Sequence, residues 1–260
     1  MGVTDVADAT IAGAVTFSDD EIERYARHLM LAEVGGPGQQ RLKAARVAVV
    51  GLGGIGAPAS LYLAAAGVGT LRLIDDDLVS LSNLQRQILF QSADVDRAKV
   101  EVGEERLTAL NPHVRIEARS HRLNAQNATT LLVDCDVIID GTDDFETRFI
   151  VNAACLRAGV PLVSGALGRW SGQVGVFSGR PCYRCLVSEI PPDAETCARV
   201  GVIGALAGVI GAMAAMETIK LIAQAGKPLT GRLLIYDGLN ATTRVVDMAA
   251  DLHCPVCGVA

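Results

Sequence analysis

The segment VAVVGLGGIGAPASLYLAAAG, residues 47–67, constrains the fold more than any other part of the chain. An apolar run leads into Gly51, Gly53 and Gly56 in the G-x-G-x-x-G spacing, and a helical pattern follows at once. This order predicts a strand, a tight glycine turn and a helix whose N-terminus faces a phosphate. Because the spacing suits a dinucleotide and a mononucleotide equally well, it predicts a nucleotide site without identifying the nucleotide.

Apolar runs and helical patterns alternate on both sides of the glycine turn. Strands are predicted over 46–50, 70–75, 114–118, 136–140 and 161–164, and helices over 54–66, 97–110, 125–132 and 144–158. This rhythm is typical of an α/β fold with a Rossmann-like, mostly parallel mixed sheet and helices on both faces. Further along, the pattern predicts a strand over 172–178, a helix over 201–223 and a C-terminal antiparallel extension in GRLLIYDG and TTRVVDM.

The N-terminal region divides into two parts. Residues 1–17 show no periodicity and predict a flexible arm, whereas residues 18–260 predict a single domain. Ser18, with Glu21 three residues later, has the pattern of a capping box and predicts the start of a helix. The apolar stripe of this helix comprises Ile22, Tyr25, Ala26, Leu29 and Met30. A glycine turn is predicted over 35–38.

Charge and hydropathy argue against nucleic-acid and membrane partners. The 260 residues carry a formal net charge of −6 without a long run of lysine and arginine, so we expect no nucleic-acid-binding face. The N-terminus lacks a basic segment ahead of an apolar stretch, which predicts a cytoplasmic protein without a signal peptide. Residues 200–216 are uncharged, but the segment is short and rich in glycine and predicts a buried core helix.

Two C-x-x-C pairs predict a structural zinc site. Cys182 and Cys185 form the first pair, and Cys254 and Cys257 form the second near the C-terminus. Four thiolates make a closed tetrahedral site without a position for water, so we expect the metal to tie the C-terminus to the sheet. The alternatives are two unrelated turns or a redox dithiol.

Polar residues follow the second predicted strand. Asp75 ends that strand, where a carboxylate can accept hydrogen bonds from ribose hydroxyls. Asn83, Gln85 and Arg86 lie within one polar turn, and Lys99 opens the next helix. A reacting triphosphate needs several cations, so this set favours ATP over the cofactor of an NAD-dependent oxidoreductase. The alternative is that Arg86 and Lys99 are solvated surface residues.

A second polar segment, DGTDDFETRF, follows the strand predicted over 136–140. Asp143 has two possible roles here. It could cap the following helix, with Glu146 three residues on completing a capping box. It could also bind Mg²⁺, which is commonly held by one or two carboxylates together with substrate phosphates.

The ordered set of motifs resembles the ThiF/MoeB/HesA family, the bacterial relatives of ubiquitin-activating enzymes, and within it the molybdopterin-synthase adenylyltransferases. The motifs are RYARH, VGLGGIG, SLSNLQRQ, the helix that begins with AKVEVGEERL, DGTDDFETR, PCYRC, TCARVGVIGALAGVIG and CPVC. Together they extend over residues 19–258, nearly the whole chain. The resemblance implies ATP-dependent adenylation of the C-terminal glycine of a ubiquitin-like sulfur carrier that ends in Gly-Gly, with release of pyrophosphate. It also implies a homodimer and the use of Mg²⁺ and Zn²⁺.

The resemblance further implies roles for individual residues. The nucleotide and its phosphates would be held by Gly51, Gly53, Gly54, Gly56, Asp75, Asp77, Ser82, Asn83, Gln85, Arg86, Lys99, Asp143 and Asp144. Asp143 matches the magnesium-binding aspartate of the family, and Arg27 matches an arginine that reaches the ATP of the partner subunit. Cys197 aligns with a cysteine that some relatives link covalently to the carrier; the alternative is a loop thiol without a role. Asp144 stands where relatives commonly have asparagine, which leaves its role open.

The resemblance leaves the pathway open. The resemblance favours a carrier of molybdopterin-type sulfur transfer; the alternatives are a carrier of thiamine synthesis or of a specialised sulfur-incorporating route, and a non-catalytic scaffold that binds a carrier. The chain ends just after the second cysteine pair, without the rhodanese domain of some relatives. We therefore expect a separate protein to donate the sulfur.

Overall fold

The computed structural model describes residues 16–190 and 201–258. It contains an eight-stranded mixed sheet with the order β3-β2-β1-β4-β5-β6-β7-β8. The strands are β1 Arg46–Val50, β2 Thr70–Ile74, β3 Arg115–Arg119, β4 Val137–Asp140, β5 Leu162–Leu167, β6 Ser171–Phe177, β7 Arg232–Asp237 and β8 Thr242–Asp247. Strands β1 to β5 are parallel, and β6, β7 and β8 continue the sheet in antiparallel pairs. The predicted fold class is therefore confirmed.

Helices cover both faces of the sheet. They are α1 Asp19–Arg24, α2 Ala26–Leu29, α3 Gly35–Ala44, α4 Gly56–Ala65, α5 Lys99–Leu110, α6 Ala128–Leu132, α7 Phe145–Ala158, α8 Tyr183–Leu186 and α9 Gly204–Ala223. Alternate residues of β1 belong to different cores: Val47 and Val49 to one, Ala48 and Val50 to the other. Because successive side chains of a strand point to opposite faces, a fully buried strand such as β1 reads as one apolar run.

The helix that is predicted from residue 18 consists of two short helices. The capping box of Ser18 and Glu21 is present, but the helix stops at Tyr25, and α2 begins at the next residue. Tyr25 is buried and accepts a hydrogen bond from the Asn111 side chain, whereas Ile22 and Met30 are exposed. The prediction of one apolar stripe is therefore wrong, because Ile22 and Met30 face solvent while Tyr25 is buried against Asn111.

The predicted glycine turn over 35–38 is also the start of a helix. Gly35 adopts a left-handed backbone with φ 54°, but α3 already begins at this residue. Pro37 lies in the first helical turn, where its missing N–H needs no partner. The predicted turn is therefore the first turn of a helix, α3, which the sequence analysis did not predict.

Helix α9 is the only described helix that is long and apolar enough to cross a membrane. Half of its most apolar window is buried inside the protein, where it packs against α4 and β5. Ala207, Ile210 and Ala214 are fully buried on this packed face. The helix is therefore part of the core, as the sequence predicts.

Candidate nucleotide and metal sites

A cavity of about 550 Å³ opens where the chain leaves β1, β2 and β4. These are the carboxyl ends of parallel strands, where ligands bind in open α/β sheets. Its polar wall consists of Asp75, Asp76, Asp77, Asn83, Arg86, Gln87, Lys99, His121, Arg122, Thr142, Asp143, Asp144, Thr147, Arg148, Gln173 and Tyr183. Carboxylates and cationic side chains therefore line the same cavity.

The glycine turn forms one wall of this cavity. Gly51 has φ 83°, and a Cβ there would lie 3.2 Å from the Gly141 carbonyl. A Cβ on Gly56 would collide with the Gly51 carbonyl oxygen, so α4 can begin directly over the turn only with glycine at this position. The N–H groups of Gly53 and Gly54 donate no hydrogen bond within the described residues, which leaves them available to an anionic ligand.

Asp75 ties the glycine turn to the end of β2. One carboxylate oxygen accepts a hydrogen bond from the Leu52 N–H at 2.7 Å, and the other accepts one from the Asp77 N–H at 2.8 Å. Burial raises the pKa of Asp75, and the charge of Lys99 opposes this shift. Asp75 therefore shapes the loop backbone and still lines the cavity, where it can also meet a ligand hydroxyl.

Lys99 is a buried cation at the start of α5. Its side chain is only 4% exposed, and its Nζ lies 2.8 Å from a carboxylate oxygen of Asp77, which is 66% exposed. Lys99 is therefore not a solvated surface residue. Arg86 is half-buried in the cavity wall and donates a hydrogen bond to the Ser82 carbonyl at 3.1 Å.

The two adjacent aspartates after β4 have different roles. The Asp144 side chain accepts a hydrogen bond from the Thr147 N–H at 2.7 Å and caps α7. The possibility that Asp143 caps this helix is therefore wrong by one residue, because the helix begins at Phe145. The Asp143 carboxylate lines the cavity and accepts no hydrogen bond from the described residues. It is free to bind a cation.

A buried polar network lies beneath Asp143. Asp140 is fully buried and accepts hydrogen bonds from Thr142 and from the Ser164 hydroxyl. Arg148 faces Asp140 at 3.8 Å and donates a hydrogen bond to the Thr142 carbonyl. Burial opposes the charge of Arg148, but Asp140, Tyr183 and Asp143 together outweigh this effect and raise the pKa of Arg148, which stays a cation. The network fixes the backbone immediately before Asp143.

The four predicted metal ligands converge in space. The sulfur atoms of Cys182 and Cys254 lie 3.6 Å apart, those of Cys185 and Cys257 lie 3.3 Å apart, and all four lie within 4.8 Å of one another. Four sulfurs at 2.3 Å from one zinc ion would lie about 3.8 Å apart in a tetrahedron. Burial raises the pKa of Cys182 and Cys257; it also opposes ionisation of Cys254, but backbone N–H groups and neighbouring thiols together lower the pKa of Cys254 to about 7. The cluster therefore fits a tetrahedral metal ion.

Some sequence-predicted residues do not line the cavity. Gly56, Ser82 and Gln85 are not among its lining residues; Ser82 and Gln85 are exposed, and the Gln85 backbone lies close to the start of α9. Arg27 is exposed on α2 and lines no part of the cavity of its own protomer. Cys197 lies outside the described residues.

The cavity also contains residues that sequence analysis missed. Gln87 and Arg148 belong to motifs quoted above, but nothing in the sequence shows that both are buried. The Gln87 Oε1 atom is buried without a hydrogen-bond partner among the described residues. His121 and Arg122 follow β3, and the rule that ligands bind beyond the carboxyl ends of strands could have found them. Tyr183 reaches the cavity from between two cysteines.

The chain is similar to known proteins over nearly its whole length. The ThiF family matches residues 25–256. The sulfur carrier protein adenylyltransferase of Thermus thermophilus is 44% identical over 251 residues, which cover 93% of this chain and 93% of that protein. The molybdopterin-synthase adenylyltransferase of Escherichia coli is 45% identical over 244 residues, which cover 93% of this chain and 98% of that protein. The crystal structure of E. coli MccB with succinimide has a TM-score of 0.80 at 25% identity and covers 91% of this chain and 74% of its own. The chain belongs to the ThiF family.

Proposed function

We propose that this protein is a cytoplasmic, ATP-dependent adenylyltransferase that acts on the C-terminal glycine of a ubiquitin-like sulfur carrier ending in Gly-Gly. One observation carries the proposal: a glycine turn, a buried lysine, an arginine and a free aspartate line a single cavity. They do so in a chain that is 44–45% identical to proteins named as adenylyltransferases of this kind. The products are a carrier acyl-adenylate and pyrophosphate.

The reaction requires little from the protein beyond alignment and positive charge. A terminal carboxylate has a pKa of about 3.5, so it is ionised at neutral pH and attacks the α-phosphorus without a general base. The N–H groups of Gly53 and Gly54 would hold the phosphates and orient them. Lys99 and Arg86 stabilise the charge that develops on the departing pyrophosphate.

Lys99 is prepared for this role by its ion pair with Asp77. A buried ammonium without a partner is costly, and the exposed Asp77 carboxylate provides that partner before a nucleotide binds. Because Asp77 is mostly in solvent, it can turn away when a phosphate replaces it. The ion pair thus holds the Lys99 ammonium in the cavity wall, where it can exchange Asp77 for a phosphate of the substrate.

Magnesium fits beside Asp143. Its carboxylate lines the cavity and accepts no hydrogen bond from the described residues, so its oxygens can take a hard cation together with phosphate oxygens. When bound there, Mg²⁺ offsets the negative charge of the triphosphate.

Zinc fits the cluster of Cys182, Cys185, Cys254 and Cys257. Four thiolates leave no open coordination position, so the metal has a structural role. If the protein stays fully folded after a chelator has removed all zinc, the structural role of the metal is refuted.

We also propose a homodimer in which Arg27 completes the site of the partner. The residue is exposed and absent from the cavity of its own protomer. Equal mixing of Arg27→Ala and Asp143→Ala chains gives half heterodimers, each with one intact site of two. The mixture is therefore expected to regain about a quarter of the wild-type rate. Mixtures that stay as inactive as their parents would exclude action in trans.

The deciding experiment is ATP/pyrophosphate exchange with each candidate carrier from the same organism. We expect exchange that requires Mg²⁺ and a carrier, and none with the same carrier lacking its last glycine. The Asp143→Ala variant provides the inactive control. The carrier that supports exchange identifies molybdopterin synthesis, thiamine synthesis or a specialised route. If no carrier supports exchange, the proposed adenylyltransferase activity is refuted. Binding of a carrier without exchange would favour a non-catalytic scaffold.

The covalent role of Cys197 has its own test. The Cys197→Ser variant is expected to retain ATP/pyrophosphate exchange, because adenylation needs no thiol. Only a step after adenylation would be lost if this thiol links to the carrier.

We propose that a separate protein then supplies the sulfur. ATP binding without NAD binding, measured by calorimetry, would exclude an NAD-dependent oxidoreductase.

A further inference from the structure

One short helix belongs both to the cysteine cluster and to the nucleotide cavity. Helix α8 begins at Tyr183, between Cys182 and Cys185, and the Tyr183 side chain lines the cavity. Val187, directly after the helix, lines the cavity as well. A metal ion that holds the two cysteines would therefore also hold this part of the cavity wall.

Tyr183 is firmly packed from several sides. It is 3% exposed, and its backbone N–H donates a hydrogen bond to the Asn152 side chain at 2.9 Å. Its ring centre lies 5.5 Å from that of Phe177 in an edge-to-face arrangement and 6.2 Å from that of Phe149. Burial raises the pKa of Tyr183, so the phenol stays neutral. The ring cannot move without disturbing α7 and β6.

Arg148 connects this ring to the aspartate loop. The guanidinium carbon lies 6.0 Å from the centre of the Tyr183 ring, within the range of a cation–π contact. The same guanidinium donates a hydrogen bond to the Thr142 carbonyl, one residue before Asp143. A continuous set of contacts thus runs from the cysteine cluster through Tyr183 and Arg148 to Asp143.

We propose that metal loading of the cysteine cluster and binding of a magnesium nucleotide are coupled through Tyr183 and Arg148. The inference rests on the zinc and nucleotide sites of the proposed function. Tyr183 and Arg148 act as positioning residues, because they hold the loop that presents Asp143. Coupling between two sites is reciprocal, so a bound nucleotide strengthens zinc binding by the factor by which zinc strengthens nucleotide binding. Loss of zinc, by chelation or thiol oxidation, therefore weakens the nucleotide site.

The test measures zinc affinity in the full chain by competition with a chromophoric chelator. Each protein is titrated with and without saturating Mg²⁺ and AMPCPP, an ATP analogue that cannot release its β- and γ-phosphates. In the wild type, the bound analogue is expected to tighten zinc binding about tenfold. Phe177→Leu is the matched control, because Phe177 contacts Tyr183 but lines no part of the cavity, and it retains this effect. In Tyr183→Leu the effect falls below about twofold.

Two results would overturn the inference. One is an equal zinc affinity of the wild type with and without the bound analogue, and the other is a tenfold effect that persists in Tyr183→Leu. Should that variant not fold, Arg148→Lys probes the same contact from the other side and is expected to lose the effect as well. Calorimetry separates this from failure of the proposed function: if the wild type binds no analogue at all, the adenylation site itself is refuted.

Discussion

Replacement of Arg148 by methionine is expected to lower the free energy of unfolding by about 3 kcal/mol. Arg148 and Asp140 are 7% and 0% exposed, and their charged atoms lie 3.8 Å apart. Removing one partner of a buried ion pair leaves an uncompensated charge, at a cost of about 3–5 kcal/mol. The lower end applies here, because Asp140 keeps two hydrogen bonds from Thr142 and one from Ser164.

Urea unfolding of the zinc-loaded protein without nucleotide, followed by circular dichroism, measures this loss. The double variant Asp140→Asn, Arg148→Met should recover about 1–2 kcal/mol, since no lone charge remains. Arg72→Met is the control, because Arg72 forms a buried pair with Glu117 away from the cavity. Arg148→Met and Arg72→Met are both expected to lose stability, but only Arg148→Met is expected to weaken the binding of a magnesium nucleotide. A loss below about 1 kcal/mol, or an equal loss in the single and double variants, would refute the reasoning.

Further predictions concern the glycine turn, the two aspartates and the effect of pH. Gly56→Ala should lose about 1–3 kcal/mol in urea unfolding and bind ATP more weakly, because its Cβ would collide with the turn. Asp144→Ala should lose about 1 kcal/mol with the helix cap, whereas Asp143→Ala keeps its stability and loses pyrophosphate exchange; the reverse pattern would contradict the assignment. Burial opposes the charge of Glu117, but its buried arginine partner outweighs this and lowers the pKa of Glu117. The resulting stability is present above the unfolded pKa of about 4.3 and disappears as pH falls through the lower folded value. Urea unfolding between about pH 6 and 3 should therefore show a shallower decline in Glu117→Gln than in the wild type.

The centre of the sheet could be predicted from the sequence because β1, β2 and β4 are buried on both faces and read as separate apolar runs. The boundary of β5 was less accurate: the strand continues to Leu167, because Leu167 pairs with Gly172 of the antiparallel strand β6. The break at Tyr25 could not be predicted at all. At this residue the side chain accepts a hydrogen bond from Asn111, which lies 86 positions away in the sequence. Local periodicity contains no information about such a contact.

The candidate site was predictable to the extent that its residues follow strands. Asp75 and Asp143 each lie just beyond a strand that runs towards the cavity, so the topology brings them together. Tyr183 follows the antiparallel strand β6 and a loop, for which no comparable rule exists. The pairing of Lys99 with Asp77 likewise depends on where α5 begins relative to β2.

Asp143 and Asp144 show why a correct motif does not assign roles to its members. A helix cap accepts a hydrogen bond from a backbone N–H two or three residues ahead, so the first residue of the helix decides which aspartate is used. Sequence patterns predict helix ends only to within a few residues, an uncertainty larger than the spacing of the two candidates. Since α7 begins at Phe145, its cap occupies Asp144, and the carboxylate of Asp143 is left to the cavity. If α7 began one residue earlier, Asp143 would cap the helix and Asp144 would be left to bind the cation. The hydrogen bond from Arg148 to the Thr142 carbonyl holds the backbone just before these two residues, so it helps to decide which carboxylate faces the cavity.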